Sequence, residues 1–200
     1  MTVLETPGLT ASAVGQRGYH VGWWGMVVLI ATEATVFLGL LASYFYLRAS
    51  SAEWPQGGIK PPDLFQISIF TVVLLGSTIP VLIAESSIEQ GHLRRTGIAL
   101  LVAWLMGAAF LAHQVMEFAQ LDFRISDNAY ASIFIVTTGL HGLHVLVGLL
   151  ISLVVQLKVW LRRVSPEHHL TLSVFALYWH FVDVVWVFVF TSLYLTAHLR

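Results

Sequence analysis

The sequence predicts an all-α polytopic membrane protein, a bundle of five transmembrane helices. Of its 200 residues 57% are hydrophobic and 10% are charged, where a soluble domain carries roughly 25% charged residues. Mean hydropathy is +0.79. Five stretches each exceed the about 20 apolar residues that a helix needs to cross the hydrocarbon core. No backbone polar group stays unpaired in lipid, so a spanning stretch is either a helix or a strand of a closed barrel. Barrel strands would read as segments of about ten alternating residues, and the sequence has none.

The first stretch, 22–47, holds one acid, Glu33; at 1.5 Å per residue that carboxyl falls near the middle of the bilayer. The second, 64–84, and the third, 96–116, contain no Asp, Glu, Lys or Arg. Pro80 predicts a kink in the second. Gly107 with Ala103, and Ala108 with Ala112, offer small-residue packing seams in the third. The fourth, 128–157, is again free of formal charge, and the fifth, 170–199, carries Asp183 alone. Ahead of them, residues 1–21 combine Pro, Gly, Ser and Thr without an apolar run and read as a cytosolic arm, leaving 22–200 as the membrane domain. The connection around Trp54-Pro55, Gly57-Gly58 and Pro61-Pro62 is rich in turn formers and predicts a loop of fixed shape, suited to docking.

Lys and Arg accumulate on the cytoplasmic side of membrane proteins. Arg17, Arg94, Arg95, Lys158, Arg162 and Arg163 share a side with the N-terminus, against Arg48, Lys60, Arg124 and Arg200 opposite. The bias places the N-terminus in the cytoplasm and the C-terminus outside. Trp23, Trp24, Trp54, Tyr130, Trp160 and Tyr194, together with the Tyr44–Tyr46 stretch, are expected as interfacial aromatics. With no Cys and a formal charge of −1, thiolate metal centres and disulfides are excluded, and nothing in the charge distribution suits nucleic acid.

Ionisable side chains at the bilayer centre cost about 2.5–3.5 kcal/mol on insertion scales, so each needs a partner or a purpose. The pairs His141/His144 and His180/Asp183 stand three residues apart and His113/Glu117 four apart, which puts each pair on one helix face. Those faces, with Glu33, are expected to point into the bundle. Asp183 has His180 as its expected partner, and Gly139 and Gly142 let another helix approach His141. Three readings stay open on these residues alone. They are a structural polar network of His113, Glu117, His141, His144, His180 and Asp183, a metal or haem site built from the same groups, and a proton relay through Glu33, His141 and Asp183. Lys158, Arg162 and Arg163 either serve as positive-inside charge or grip phospholipid headgroups.

Specific strings add to this. Tyr178-Trp179-His180-Phe181-Val182-Asp183-Val184-Val185-Trp186 closely resembles the last-helix signature of subunit III of the haem–copper oxidases, the cytochrome c and quinol oxidase family. Thr138-Gly139-Leu140-His141-Gly142-Leu143-His144-Val145 is similar to another of its motifs, and the stretch from Gln114 through Glu117 to Ile125-Ser126-Asp127 to a third. Trp54-Pro55, Gly58-Ile59 and Pro61 look like its outer loop. The likeness runs in family order from about Gly22 onward. Seven-helix members have two helices ahead of the one bearing the intramembrane Glu, so the chain resembles the short five-helix bacterial form.

The resemblance implies subunit III of a bacterial terminal oxidase in the cell (inner) membrane, where electron transfer to dioxygen is coupled to proton translocation. It implies a non-catalytic chain without a redox centre or metal site of its own, haem and copper residing in partner subunits. Subunit I would be the direct partner and subunit II a further one. A small additional subunit would stand in for the two helices, and phospholipid would be bound, with Lys158 and Arg163 near positions that hold lipid phosphate. Glu33, within Thr32-Glu33-Ala34, falls where the family has a carbodiimide-reactive Glu linked to proton uptake. A quinol oxidase subunit or a nitric-oxide reductase accessory subunit shares much of the signature, and an autonomous membrane metal or haem enzyme is the rival of another class.

Overall fold

The computed structural model describes residues 21–165 and 169–198. The expected N-terminal arm lies outside the described residues, except that Val21 already opens the first helix. The helices are α1 (Val21–Ser50), α2 (Leu64–Gly76), α3 (Thr78–Glu89), α4 (Leu93–Ala119), α5 (Ala129–Trp160), α6 (Leu170–Val189) and α7 (Thr196–His198), with a π-helical stretch, Phe190–Leu195, joining the last two. By length and apolar composition they make five membrane spans, α2 with α3 forming the second and α6 with α7 the fifth. The chain is a multi-pass helical membrane protein. Most helices outrun the apolar windows by about a turn, because a helix continues into the interface where the hydropathy signal stops.

The second span breaks at Ser77, three residues before Pro80. Proline offers no N–H to the carbonyl four residues back and its ring crowds that carbonyl, here Gly76. The Ser77 hydroxyl instead donates to the Leu74 carbonyl at 2.6 Å. Two helix starts are capped by side chains: Asp63 accepts from the Phe65 amide at 3.0 Å, and Asn128 from the Ala131 amide at 2.8 Å. Each satisfies an amide that the first helical turn leaves without a carbonyl.

The α5 and α6 helices form the centre. α1 packs on both, α3 packs on α4 and α6, and α2 and α5 each pack on α4. α1 is the peripheral helix, burying only Phe37 and Tyr44. Where α4, α5 and α6 meet, Trp179 is the wedge: a Cβ built on Gly107 would stand 2.6 Å from the indole, and one built on Gly148 2.8 Å. Its indole nitrogen donates to the Ser77 hydroxyl at 2.8 Å, so the same ring ties the central helices to the broken second span.

The loop after α1 has the fixed shape its turn residues suggest. Trp54 donates to the Tyr44 hydroxyl at 3.2 Å and sets its ring edge-on to Tyr44 and Tyr130. The Gln56 carbonyl accepts from Asn128 at 3.0 Å. This corrects the interfacial-belt expectation for three tyrosines. Tyr44, Tyr130 and Tyr194 are fully buried, while Tyr46 is 72% exposed; the phenols turn inward because hydrogen-bond partners or stacked rings wait there.

Candidate functional site

The intramembrane polar residues do not form one network; they divide into separate contacts between helices. Glu33 of α1 meets His144 of α5, with Oε2 at 3.2 Å from Nε2. The other ring nitrogen of His144 lies 2.8 Å from the Leu140 carbonyl, and since a carbonyl only accepts, Nδ1 carries a proton there. Phe37 packs edge-on against the same imidazole. The Glu33 side chain keeps 36% of its surface exposed and that of His144 11%. Glu33 thus sits at the rim of the bundle, on the helix that is least covered, and not sealed within it as the expectation of inward faces had it. A carboxyl and an imidazole in hydrogen-bond contact are able to exchange a proton.

His141 is the opposite case. It is fully buried, stacked on Trp186 of α6 with ring centres 4.6 Å apart and flanked by Phe110 and Phe37. Neither ring nitrogen has a hydrogen-bond partner among the described residues. The close approach that Gly142 permits is taken up by Gln114 of α4, whose amide donates to the Thr138 carbonyl at 2.7 Å. Gly139 faces Phe118. His113 stacks on Phe70 of α2 with centres 4.1 Å apart.

The two remaining acids find partners that spacing did not disclose. Glu117 of α4 accepts from the Tyr194 hydroxyl at 3.1 Å. Asp183 accepts from the Thr78 hydroxyl at 2.6 Å, which corrects the His180 pairing; His180, partly exposed, makes no hydrogen bond among the described residues. The i,i+3 spacing does align His180 with Asp183 along α6, but α3 packs against that helix and brings Thr78 to the carboxylate. Thr78, Trp186, Tyr194 and Gln114 are therefore site residues that sequence reading missed. Pro80 was the one usable signal, since it places a helix start, and so Thr78, near that point. Among the described residues no three His, Asp or Glu side chains group as a metal site would require.

The basic residues at the α5 end also separate. The Lys158 amine donates to the Thr171 hydroxyl at 3.2 Å. Arg162 has φ +54° and closes α5 in a Schellman turn, its amide bonding the Val159 carbonyl and that of Arg163 the Lys158 carbonyl. The turn directs Arg162 to a cavity beside α4 that also has Arg94 and Arg95 on its wall.

The family model of cytochrome c oxidase subunit III matches residues 8–198. Cytochrome c oxidase subunit 3 of Gallus gallus is 36% identical over 177 residues, covering 86% of this chain and 68% of the relative. Those of Cyprinus carpio and Squalus acanthias are 37% identical with the same coverage.

Proposed function

Since the chain belongs to the cytochrome c oxidase subunit III family, we propose that it is subunit III of a bacterial haem–copper terminal oxidase, which passes electrons to dioxygen and translocates protons. Membership makes it a subunit of an oxidoreductase complex. The reading of its role within that complex is that it lies against subunit I, with subunit II in the same assembly and haem and copper held by those partners. The observation that carries this is the family match over 8–198, which spans the central helices and the broken second span alike. The way its own histidines are engaged supports the assignment of redox centres to partners: His144 is tied to Glu33 and Leu140, and His141 and His113 are stacked on aromatic rings.

In this reading Glu33 modulates proton uptake. Its contact with His144 and its exposure at the rim leave it reachable from a neighbouring subunit, which a sealed carboxylate would not be. His113, Glu117, His141 and Asp183 hold helices together. The peripheral α1, covered on one side only, is the place for subunit I or a small additional subunit. The described basic residues bear on orientation. Arg94, Arg95, Lys158, Arg162 and Arg163 lie at the membrane side where α1 begins, and Arg48, Lys60 and Arg124 at the other, so by the positive-inside rule the first side faces the bacterial cytoplasm.

Stripping this chain from the purified oxidase tests the role. The haem and copper spectra of the remainder are expected to stay unchanged while oxygen consumption decays sooner under sustained turnover, and adding the chain back restores its duration. Loss of a haem or copper signal with the chain would contradict the assignment.

A further inference from the structure

On the side of the bundle where α1 ends, the loop after α1 and the end of α4 enclose a cavity of about 750 Å³. Its walls are the loop stretch 57–62, the first turns of α2, the last turns of α4 and the loop that follows α4. The loop wall is held in place. Trp54 is bonded to Tyr44 and the Gln56 carbonyl to Asn128, and Gly57 and Gly58 both stand at φ +69°, a backbone that a side chain would strain. From the loops the cavity reaches down α4 to His113, roughly 9 Å below the end of that helix at 1.5 Å per residue. It is a preformed hollow in the size range that takes a ligand or a few side chains.

Three carboxylates line the cavity, those of Asp63, Glu117 and Asp122, against one ammonium, Lys60. None of the four has an ion pair among the described residues, where the one ion pair is His144 with Glu33. Asp63 gives one oxygen to the α2 cap and Glu117 accepts from Tyr194 through Oε2, which leaves each a second oxygen. Asp122 is exposed in the loop. The charged residues Arg48, Glu53, Arg124 and Asp127 of the same side stay off the walls. Deeper in, His113 lines the cavity at 8% exposure, lying flat against Phe70, which lines it too. Its Nδ1 has no hydrogen-bond partner among the described residues. A polar side chain that is so buried and yet unpartnered points to a group that enters from elsewhere. Met116, 54% exposed, adds a thioether to the apolar part of the wall, a side chain that adapts to whatever packs on it.

We infer that this cavity receives a short extramembrane segment of another subunit, whose lysine or arginine enters among Asp63, Glu117 and Asp122 while an apolar neighbour packs on Phe70 and Met116. The charge is complementary, since carboxylates outnumber the single ammonium and lack counter-charges of their own. Among the described residues no three His, Asp or Glu side chains group as a metal ion requires, so the spread of these oxygens suits a long, flexible cation better than a compact one. The stem of a lysine or arginine also covers aromatic surface on its way in. The residues ahead of Val21 join the chain at the opposite end of α1, roughly 45 Å away along that helix, and are not the occupant. A second copy docked through this same face would set carboxylates against carboxylates. The inference rests on the oxidase reading for the existence of neighbouring subunits, and it adds a grip distinct from contact along α1.

The test is photocrosslinking in the assembly purified from its native membrane, with p-benzoylphenylalanine in place of Gln120, an exposed residue of the cavity wall. The crosslinked peptide is expected to come from another subunit and to carry Lys or Arg beside the attachment point. Asp63→Asn keeps a capping oxygen for the Phe65 amide and Asp122→Asn lies in the loop, so the two together preserve the fold. The double variant is expected to lower the crosslink yield about fivefold. Glu53→Gln, a charge loss on the same side but off the walls, is expected to leave it unchanged. Equal losses from Glu53→Gln, no loss from the double variant, or a crosslinked segment without Lys or Arg would refute the site. No crosslink, or one to lipid or to a second copy alone, would overturn it as well; if haem- and copper-bearing polypeptides co-purify all the same, the oxidase reading stands. A crosslink to a basic segment of a polypeptide that belongs to no oxidase would keep the site and remove that reading.

Discussion

Glu33 illustrates how a single side chain was legible in kind and not in circumstance. A lone acid in an apolar run must find a partner, and the sequence supplies that much. Which partner it finds depends on the rotation of α1 against α5, and this no local pattern encodes. The same holds for Asp183, whose hydroxyl donor Thr78 lies 105 positions away. Hydrogen bonds between transmembrane helices are worth about 0.6 kcal/mol on average and up to about 1.7, so deletions here are expected to be modest. Glu33→Leu should abolish labelling by an apolar carbodiimide while lowering unfolding free energy in detergent by about 1 kcal/mol or less; persistent labelling elsewhere in the membrane would show another acid to be the reactive one. For Asp183, the Thr78 contact makes a sharper statement. Asp183→Asn keeps a carbonyl oxygen for the Thr78 hydroxyl and is expected to be milder than Asp183→Leu, and a double-mutant cycle of Asp183→Leu with Thr78→Val should return a coupling of about 0.6–1.7 kcal/mol. A coupling to His180 instead would contradict the observed geometry.

Hydropathy located every span at the scale of elements, because the bilayer imposes one length and one polarity on each. The finer events within spans were partly readable. Pro80 announced the interruption, and the break falls at Ser77 because the proline affects the turn before it. Nothing in the sequence announced the π-helical stretch Phe190–Leu195. Its extra residue per turn rotates the remainder of the helix by roughly 100°. That stretch holds Tyr194, which meets Glu117, and the residue just past its end, Thr196, meets Tyr44 at 3.1 Å. The glycines were readable as small, but their importance depends on the indole that faces them. Gly107→Ala and Gly148→Ala each drive a methyl into Trp179 and are expected to cost about 1–3 kcal/mol, read as a lower thermal midpoint in detergent. Gly39→Ala, where a Cβ meets nothing within 4 Å, is expected to be neutral or slightly stabilising. Equal effects at the three positions would mean that the indole wedge does not govern packing.

The whole molecule is asymmetric in how it is covered. α5 and α6 bury more residues than the other helices, and these two carry two of the strings that resemble the oxidase family. α1 contributes Phe37 and Tyr44 to the core and leaves Glu33 at the rim. A bundle whose outermost helix bears a carboxylate and is little covered by its neighbours fits a subunit that leans on a larger partner. Purification of the tagged chain from its native membrane in mild detergent measures this most directly. Larger haem- and copper-bearing polypeptides are expected to co-purify with it in fixed proportion, and the chain dissociated from them is expected to show no Soret absorption. A chain that purifies alone while retaining haem or stoichiometric iron bound to its own residues would contradict it.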